Sequence, residues 1–185
     1  MMTIRKAVIT DAKMIASHLF LAMEEIVYQF IGTQDPEKAI AFLLHFAASD
    51  NNQYSYQNCW VAEEDGEVMA ALVLYIGSHL SALRQPVIDY LETEFSRCIK
   101  PEDETREGEY YIDSLGVQPD KQGKGIGTKL LQFVIDEYVN KQHQTLGLLV
   151  DEQNAKAKRL YLKLGFKMVD RKVLFGKQME HLQIG

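Results

Sequence analysis

The amino-acid sequence predicts a mixed α+β fold, which we assign to one domain over residues 1–185. Helical and strand-like hydrophobic periods alternate along the chain, an Asp-Gly turn joins two strand-like runs, and a glycine-rich stretch separates a strand from a helix. The length suits one domain, and a hydrophobic content of 46% allows a substantial core. The central part of the chain predicts a strand–glycine loop–helix–strand–helix unit.

The first third of the chain predicts one strand and two helices. Residues 3–8 have a strand-like pattern, and Thr10-Asp11 has the composition of a helix N-cap. Apolar residues then recur at helical spacing, at Ile15, Leu19, Met23, Ile26 and Phe30. Residues 32–36 break this helix, a second helix is predicted over 36–48, and a polar stretch follows over 49–58.

The middle of the chain predicts a hairpin, a helix and an exposed loop. Residues 59–63 and 67–76 are strand-like and flank the turn Glu64-Asp65-Gly66, which predicts an antiparallel pair. Residues 80–98 show a helical pattern. The acidic segment 100–109 follows and is predicted to be an exposed loop.

The last third predicts the glycine-loop unit and two final strands. Residues 110–117 are strand-like, the glycine stretch opens a helix, 146–150 form another strand, and 154–164 another helix that ends at Gly165. Strands are predicted over 166–170 and 173–179. The helix after the glycines buries Leu130, Leu131, Val134, Ile135, Tyr138 and Val139.

Charge and composition exclude several classes of protein. Twenty basic and 26 acidic side chains give a net charge of −6, which argues against nucleic-acid or anionic-membrane binding. Cys59 and Cys98 have no CxxC spacing, the five histidines are scattered, and so neither a disulfide framework nor a metal site is predicted. The N-terminus resembles no signal peptide, and the longest apolar run, 69–76, is too short to cross a bilayer. We expect a cytoplasmic protein.

The sequence Gln122-Gly123-Lys124-Gly125-Ile126-Gly127 lies between a strand and a helix. Glycines at such a position let backbone N–H groups face an anion, which the helix dipole also favours. A tight loop without a ligand is the alternative. The P-loop pattern GxxxxGK[ST] is absent, and the dinucleotide pattern GxGxxG does not match either.

The pattern that fits is [QR]xxGx[GA], with Gln122, Gly125 and Gly127. A second motif has Asn154 followed seven residues later by Tyr161 and then by Gly165-Phe166. With both motifs, the chain resembles the Gcn5-related N-acetyltransferase (GNAT) family over roughly residues 3–180. The resemblance implies a GNAT-like, central, mostly antiparallel twisted sheet flanked by helices, and acetyl-CoA as co-substrate without a metal.

The resemblance also implies roles for individual residues. The backbone of the glycine loop would hold the cofactor pyrophosphate, and the main chain of the preceding strand would pair with the pantetheine arm. Asn154 would reach that arm, although helix capping alone explains it too. The cofactor-binding residues are therefore Leu115, Gly116, Val117, Gln122, Gly123, Lys124, Gly125, Ile126, Gly127, Thr128, Asn154 and Tyr161.

Two residues are candidates for proton transfer. In the family reading the Tyr161 phenol meets the departing CoA thiolate, while a plain core role is the alternative. Alternation along strand 110–117 predicts that Tyr111, Asp113, Leu115 and Val117 share one face. Asp113 is therefore the first candidate for the base that deprotonates the acceptor amine, and Glu109 the second.

The predicted activity is acetyl transfer from acetyl-CoA to a primary amine, either a small cationic amine or a peptide or protein amine. The acidic segment 92–109 favours a cationic acceptor if it borders the site, and is otherwise a solvated loop. A non-catalytic acyl-CoA-binding sensor is the main alternative, and an unrelated nucleotide-binding module is a further one. A homodimer is consistent with the family.

Overall fold

The computed structural model describes all 185 residues and contains a seven-stranded sheet. Its strands are β1 (Thr3–Lys6), β2 (Cys59–Glu64), β3 (Glu67–Ile76), β4 (Glu109–Val117), β5 (Thr145–Asp151), β6 (Lys167–Leu174) and β7 (Lys177–Ile184). They lie in the order β1-β2-β3-β4-β5-β7-β6, and only β4 and β5 are parallel. The predicted mixed α+β fold with a mostly antiparallel sheet is confirmed.

Five α-helices cover the two faces of this sheet. They are α1 (Ala12–Ile31), α2 (Pro36–Ala47), α3 (Leu80–Phe95), α4 (Ile126–Val134) and α5 (Ala155–Lys163), and a π-helical segment, Ile135–Lys141, continues α4. Apolar residues of α1, α2 and α3 form one core with one face of the sheet. Residues of α4 and α5 form a second core on the opposite face. The glycine-loop unit therefore lies on its own side of the sheet.

Local sequence explains where several helices begin and end. Asp35 accepts hydrogen bonds from the N–H groups of Glu37 and Lys38 at 3.1 and 3.2 Å, which caps the first turn of α2. Gly32 ends α1 in a left-handed conformation, with φ of 72°. Met23, inside α1, has φ of −138°, so the helix is interrupted there.

The hairpin of β2 and β3 is confirmed, with its turn at Asp65 and Gly66. The final hairpin differs from prediction because its turn lies at Phe175 and Gly176, where φ is 48° and 76°. The predicted boundary at residues 171–172 was wrong because Arg171 and Lys172 continue β6 and pair with β7. Helix α3 ends at Phe95, before the predicted residue 98, because Ser96 is left-handed.

Residues Ile9–Ile31 are long and apolar enough to cross a membrane by length and composition alone. In the structure, however, buried residues of this segment such as Ile15, Leu19 and Val27 pack in the core against the sheet and α2. A core helix of a globular domain passes the same test.

Candidate active site

The centre of the sheet opens between β4 and β5. The two strands pair at four register positions, from Glu109 with Thr145 to Ile112 with Leu148, and do not pair beyond them. The N–H of Gln118 donates to β3 at 2.9 Å, and successive N–H groups of a strand point to opposite sides. The N–H groups of Leu115 and Val117 therefore point into the opening, where an extended ligand can pair with them.

A β-bulge in β4 changes which side chains share a face. The register with β3 shifts and leaves Asp113 unpaired. Tyr111 packs in the core under α1, whereas Leu115 and Val117 pack in the core under α4. The prediction that Asp113 shares a face with Leu115 and Val117 was wrong, because strict alternation does not continue through a bulge. The predicted shared face of Asp113 and Tyr111 is confirmed, since Asp113 contacts Tyr75 of the same core.

The glycine loop carries an unusual run of free donors. None of the N–H groups from Gly123 to Thr128 donates to a carbonyl or a side chain of the protein; the first helical bond is from Lys129 to Gly125 at 2.9 Å. Gly123 and Gly125 have φ of 77° and 80°, and both are exposed with open space around them. Such a loop at a helix N-terminus is suited to a pyrophosphate.

The other residues of the predicted loop have distinct places. A Cβ on Gly127 would lie 3.3 Å from Val117 Cγ2, so this glycine lets α4 pack closely on β4. Gln122 Nε2 donates to the Val117 carbonyl at 3.0 Å and ties the loop to the end of β4. Ile126 is buried in the core of α4, while Lys124 is exposed and Thr128 half-buried. Gly116 packs under α1, where a Cβ would collide with the His18 carbonyl at 1.9 Å.

Asn154 and Tyr161 come to the same opening from α5. Asn154 Oδ1 accepts from the Ala157 N–H at 3.1 Å, so the residue is a helix cap, and its amide nitrogen has no protein acceptor. The Tyr161 ring packs edge-on against Phe166, and its hydroxyl makes no hydrogen bond within the protein. Burial raises the pKa of Tyr161, which keeps the phenol protonated and able to donate.

Asp113 belongs to a buried polar cluster, which we call the acidic cluster: Gln53, Tyr75, Arg84, Glu104, Tyr111 and Asp113. Asp113 Oδ2 accepts from the Tyr75 hydroxyl at 2.6 Å and from Gln53 Nε2 at 2.7 Å. The same Gln53 nitrogen lies 3.2 Å from Glu104 Oε1, so it joins the two carboxyl groups. Glu104 also accepts from Arg84 at 2.6 Å and from Tyr111 at 3.3 Å.

The two carboxyl groups of the acidic cluster titrate together. Burial and the neighbouring Asp113 raise the pKa of Glu104 to about 7, although Arg84 acts in the opposite direction. Burial raises the pKa of Asp113 as well, against the hydrogen bonds from Tyr75 and Gln53. Neighbouring buried carboxylates avoid full ionisation, so the pair can take up a proton near neutral pH.

One cavity of about 440 Å³ joins the opening in the sheet to the acidic cluster. Its cofactor side is lined by Leu115, Val150, Asn154 and Tyr161, and its other side by Leu149, Asp113 and Glu104. Apolar side chains form most of the remaining wall, namely Leu21, Met23, Ile26, Phe30, Val87, Ile88, Ile99, Leu174, Phe175 and Met179. The cavity can thus receive two reactants from opposite sides of the bulge.

Glu109, the second base candidate, lies elsewhere. Its buried side chain extends from β4 across Gly147 of β5 to β7, where it contacts His181 at 2.9 Å and Gln183 at 2.6 Å, and it does not line the cavity. Burial alone would raise the pKa of Glu109. The hydrogen bonds with His181, Gln183 and the Arg106 N–H outweigh burial, so the pKa of Glu109 is lowered. Its contacts indicate a structural role.

Sequence reasoning missed Gln53, Arg84 and Glu104. Gln53 lies in the polar stretch 49–58, and Glu104 in a segment predicted to be exposed, yet both are buried. The acidic segment 92–109 does border the cavity, through Ile99, Pro101 and Glu104. No group of three or more His, Cys, Asp or Glu side chains is placed to hold a metal ion.

Comparison with solved structures places this geometry among acetyltransferases. One acetyltransferase crystal structure has a TM-score of 0.79 at 28% identity, over 98% of this chain and 97% of its own. An N-acetyltransferase from Staphylococcus aureus Mu50 has a TM-score of 0.81 at 20% identity, over 98% and 100%. YncA from Salmonella typhimurium, solved with its cofactor acetyl-CoA, has a TM-score of 0.55 at 21% identity, over 100% and 93%.

Sequence comparison agrees. Mycothiol acetyltransferase from Thermobifida fusca is 36% identical over 73 residues, which are 40% of this chain but only 22% of that protein. A family model described as the acetyltransferase (GNAT) family matches residues 23–166, well over half of the chain. The chain therefore belongs to the GNAT family of N-acetyltransferases, which use acetyl-CoA.

Proposed function

We propose that this protein transfers the acetyl group of acetyl-CoA directly to a primary amine, with Tyr161 as the acid and Asp113 as part of the base. One observation carries the proposal: a single cavity joins the open edge of β4 at Leu115 and the unpaired Tyr161 hydroxyl to a pair of buried carboxyl groups. A module that only stores a cofactor does not need a proton acceptor on the far side of the thioester.

The residues of the cofactor side fit acetyl-CoA, which supplies an activated acetyl thioester. The free N–H groups of 123–128 would hold the pyrophosphate, and the open edge of β4 at Leu115 and Val117 would pair with the pantetheine arm. Asn154 has an amide nitrogen free to donate to that arm. A main-chain N–H near Val117 would polarise the acetyl carbonyl.

The proton transfers follow from the two sides of the cavity. An amine of ordinary pKa about 10.4 is largely protonated at neutral pH, so it must lose a proton before it attacks. The Asp113–Glu104 pair accepts that proton. The new C–N bond forms as the C–S bond breaks, and Tyr161 donates its proton to the departing thiolate. The second proton, which the acylated nitrogen loses, returns through solvent to restore the phenol.

The first test is a pair of measurements on the purified protein. Acetyl-CoA and free CoA should raise the melting temperature at concentrations where ATP and NAD do not, because a ligand that binds the folded state stabilises it. Thiol release from acetyl-CoA should then depend on an added primary amine. Binding without amine-dependent release for any amine would favour the non-catalytic sensor instead.

A further inference from the structure

We call the side of the cavity that holds Asp113 and Glu104 the acceptor half. It has only one carboxylate site without a cationic partner. Arg84 and Glu104 form a close ion pair at 2.6 Å. Asp113 has no cationic partner and receives only the neutral donors Tyr75 and Gln53. One ammonium group can therefore be matched at the acidic cluster, where the nitrogen would also lie beside its proton acceptor.

The rest of the acceptor half offers no unpaired charge to a second cation. Its one further carboxylate, Asp151, lies 3.9 Å from Lys177 Nζ and accepts from the Gln153 N–H at 2.9 Å. Its walls come from α1, α3 and the segments near residues 100 and 175, and they are apolar: Met23, Ile26, Phe30, Val87, Ile88, Ile99, Leu174 and Phe175. A more open groove of about 810 Å³ shares Phe30, Ile99, Pro101 and Phe175 with this cavity. Its charged residues are mixed, with Glu25 and Glu102 beside Arg97 and Lys100, so it is not an acidic path for a polycation.

We propose that the acceptor is a monoamine with an apolar body, whose nitrogen is received by Asp113 and Glu104 and whose body packs against the apolar wall. This inference rests on the proposed function and narrows its substrate class. A polyamine would have to bury a second charge without a partner, which strongly disfavours binding. A hydrocarbon or aromatic body instead gains from leaving water.

The test compares primary amines that differ in their bodies and in their number of charges. In the thiol-release assay with saturating acetyl-CoA, kcat/KM for 2-phenylethylamine and hexylamine should exceed that for spermidine by at least about tenfold. Binding of 2-phenylethylamine to the protein–CoA complex should be measurable by calorimetry, which does not depend on turnover. A preference for spermidine, with acetylation intact, overturns the inference and leaves the proposed function standing.

Two variants sharpen this comparison. Ile88→Glu adds a carboxylate to the half-buried apolar wall, so the ratio of spermidine to 2-phenylethylamine turnover should rise. Glu104→Gln should lower turnover and shift the pH dependence of kcat/KM, because one proton acceptor of the pair is lost. Glu107→Gln is the matched control, since Glu107 lies exposed in the same segment and outside the cavity. An unchanged pH profile for Glu104→Gln contradicts the inference.

The apolar wall could instead hold a longer acyl chain of the CoA thioester, and the same assay distinguishes this alternative. If hexanoyl-CoA is used better than acetyl-CoA while 2-phenylethylamine is no better than spermidine, the wall serves the acyl chain and the inference is wrong. If acetyl-CoA raises the melting temperature but no amine is acetylated, the proposed function fails and the inference fails with it.

Discussion

Tyr161 has the clearest individual role, because its hydroxyl is unpaired, its ring is held by Phe166, and burial keeps it protonated. Tyr161→Phe removes only that hydroxyl. We expect kcat at saturating substrates to fall about 10²-fold, as for loss of a general acid, while the affinity for acetyl-CoA is retained. Tyr90→Phe is the control, since Tyr90 stacks on His45 outside the cavity. An unchanged kcat for Tyr161→Phe would assign the phenol to packing.

At this scale, motif residues could be predicted from the sequence, and the acidic cluster could not. Gln122, Gly125 and Tyr161 stand at fixed spacings that the backbone geometry of a loop and a helix requires. Glu104 is one of several acids in a row, and only the contacts with Arg84, Tyr111 and Gln53 turn it inward. Those partners are 7 to 51 residues away along the chain, so no local pattern reveals them.

The glycine loop acts as an element because its conformation depends on the left-handed backbone at Gly123 and Gly125, and its N–H groups have no protein acceptor. Gly125→Ala strains that conformation by about 1–2 kcal/mol and should turn donors away from the pyrophosphate. We expect CoA to bind about tenfold more weakly, measured by calorimetry, which corresponds to about 1.4 kcal/mol. Gly66→Ala is the matched control, with φ of 81° and equally open space in the β2–β3 turn.

If the loop serves only as a turn, the two variants will lose similar stability and bind CoA equally.

The strand before the loop shows why elements were not fully predictable. The bulge at Asp113 contains no glycine or proline that would mark it in the sequence, so alternation wrongly predicted that Leu115 and Val117 share the face of Tyr111 and Asp113. Its location nevertheless favours function, since bulges commonly re-aim side chains next to active sites.

Glu109 has a structural role, because its side chain connects β4 to β7. It passes over Gly147 of β5 and contacts His181 and Gln183 of β7. Because its pKa is lowered in the folded protein, its carboxylate stabilises the fold above its ordinary pKa of 4.5, and this contribution is lost as the pH falls. Glu109→Gln should therefore lower the melting temperature at pH 7, and the difference from wild type should narrow below about pH 4.5. A constant difference across this range would contradict the assignment.

In the whole molecule, the sheet is two antiparallel sets of strands joined at the centre by the short parallel pairing of β4 and β5. The sheet separates a helical layer that carries the glycine loop from one that borders the acidic cluster, and the opening beyond Ile112 and Leu148 connects the two sides. The overall fold was predictable because hydrophobic period and family motifs extend along the chain. The depth and lining of the cavity were not, since they depend on how α1, α3 and the 99–104 segment pack together.

This arrangement predicts where a bound cofactor changes the dynamics of the protein. Saturating CoA should slow amide hydrogen exchange at Leu115, Val117 and residues 123–128, because these N–H groups lack protein acceptors and would gain ligand contacts. At a hundredfold excess over Kd, it should also stabilise the fold by about 2.7 kcal/mol. Edge strand β6, on the outside of the sheet, serves as the internal reference and should show no direct protection. Protection confined to β6, or absent from 123–128 at saturation, would mean that CoA binds outside the β4–β5 opening.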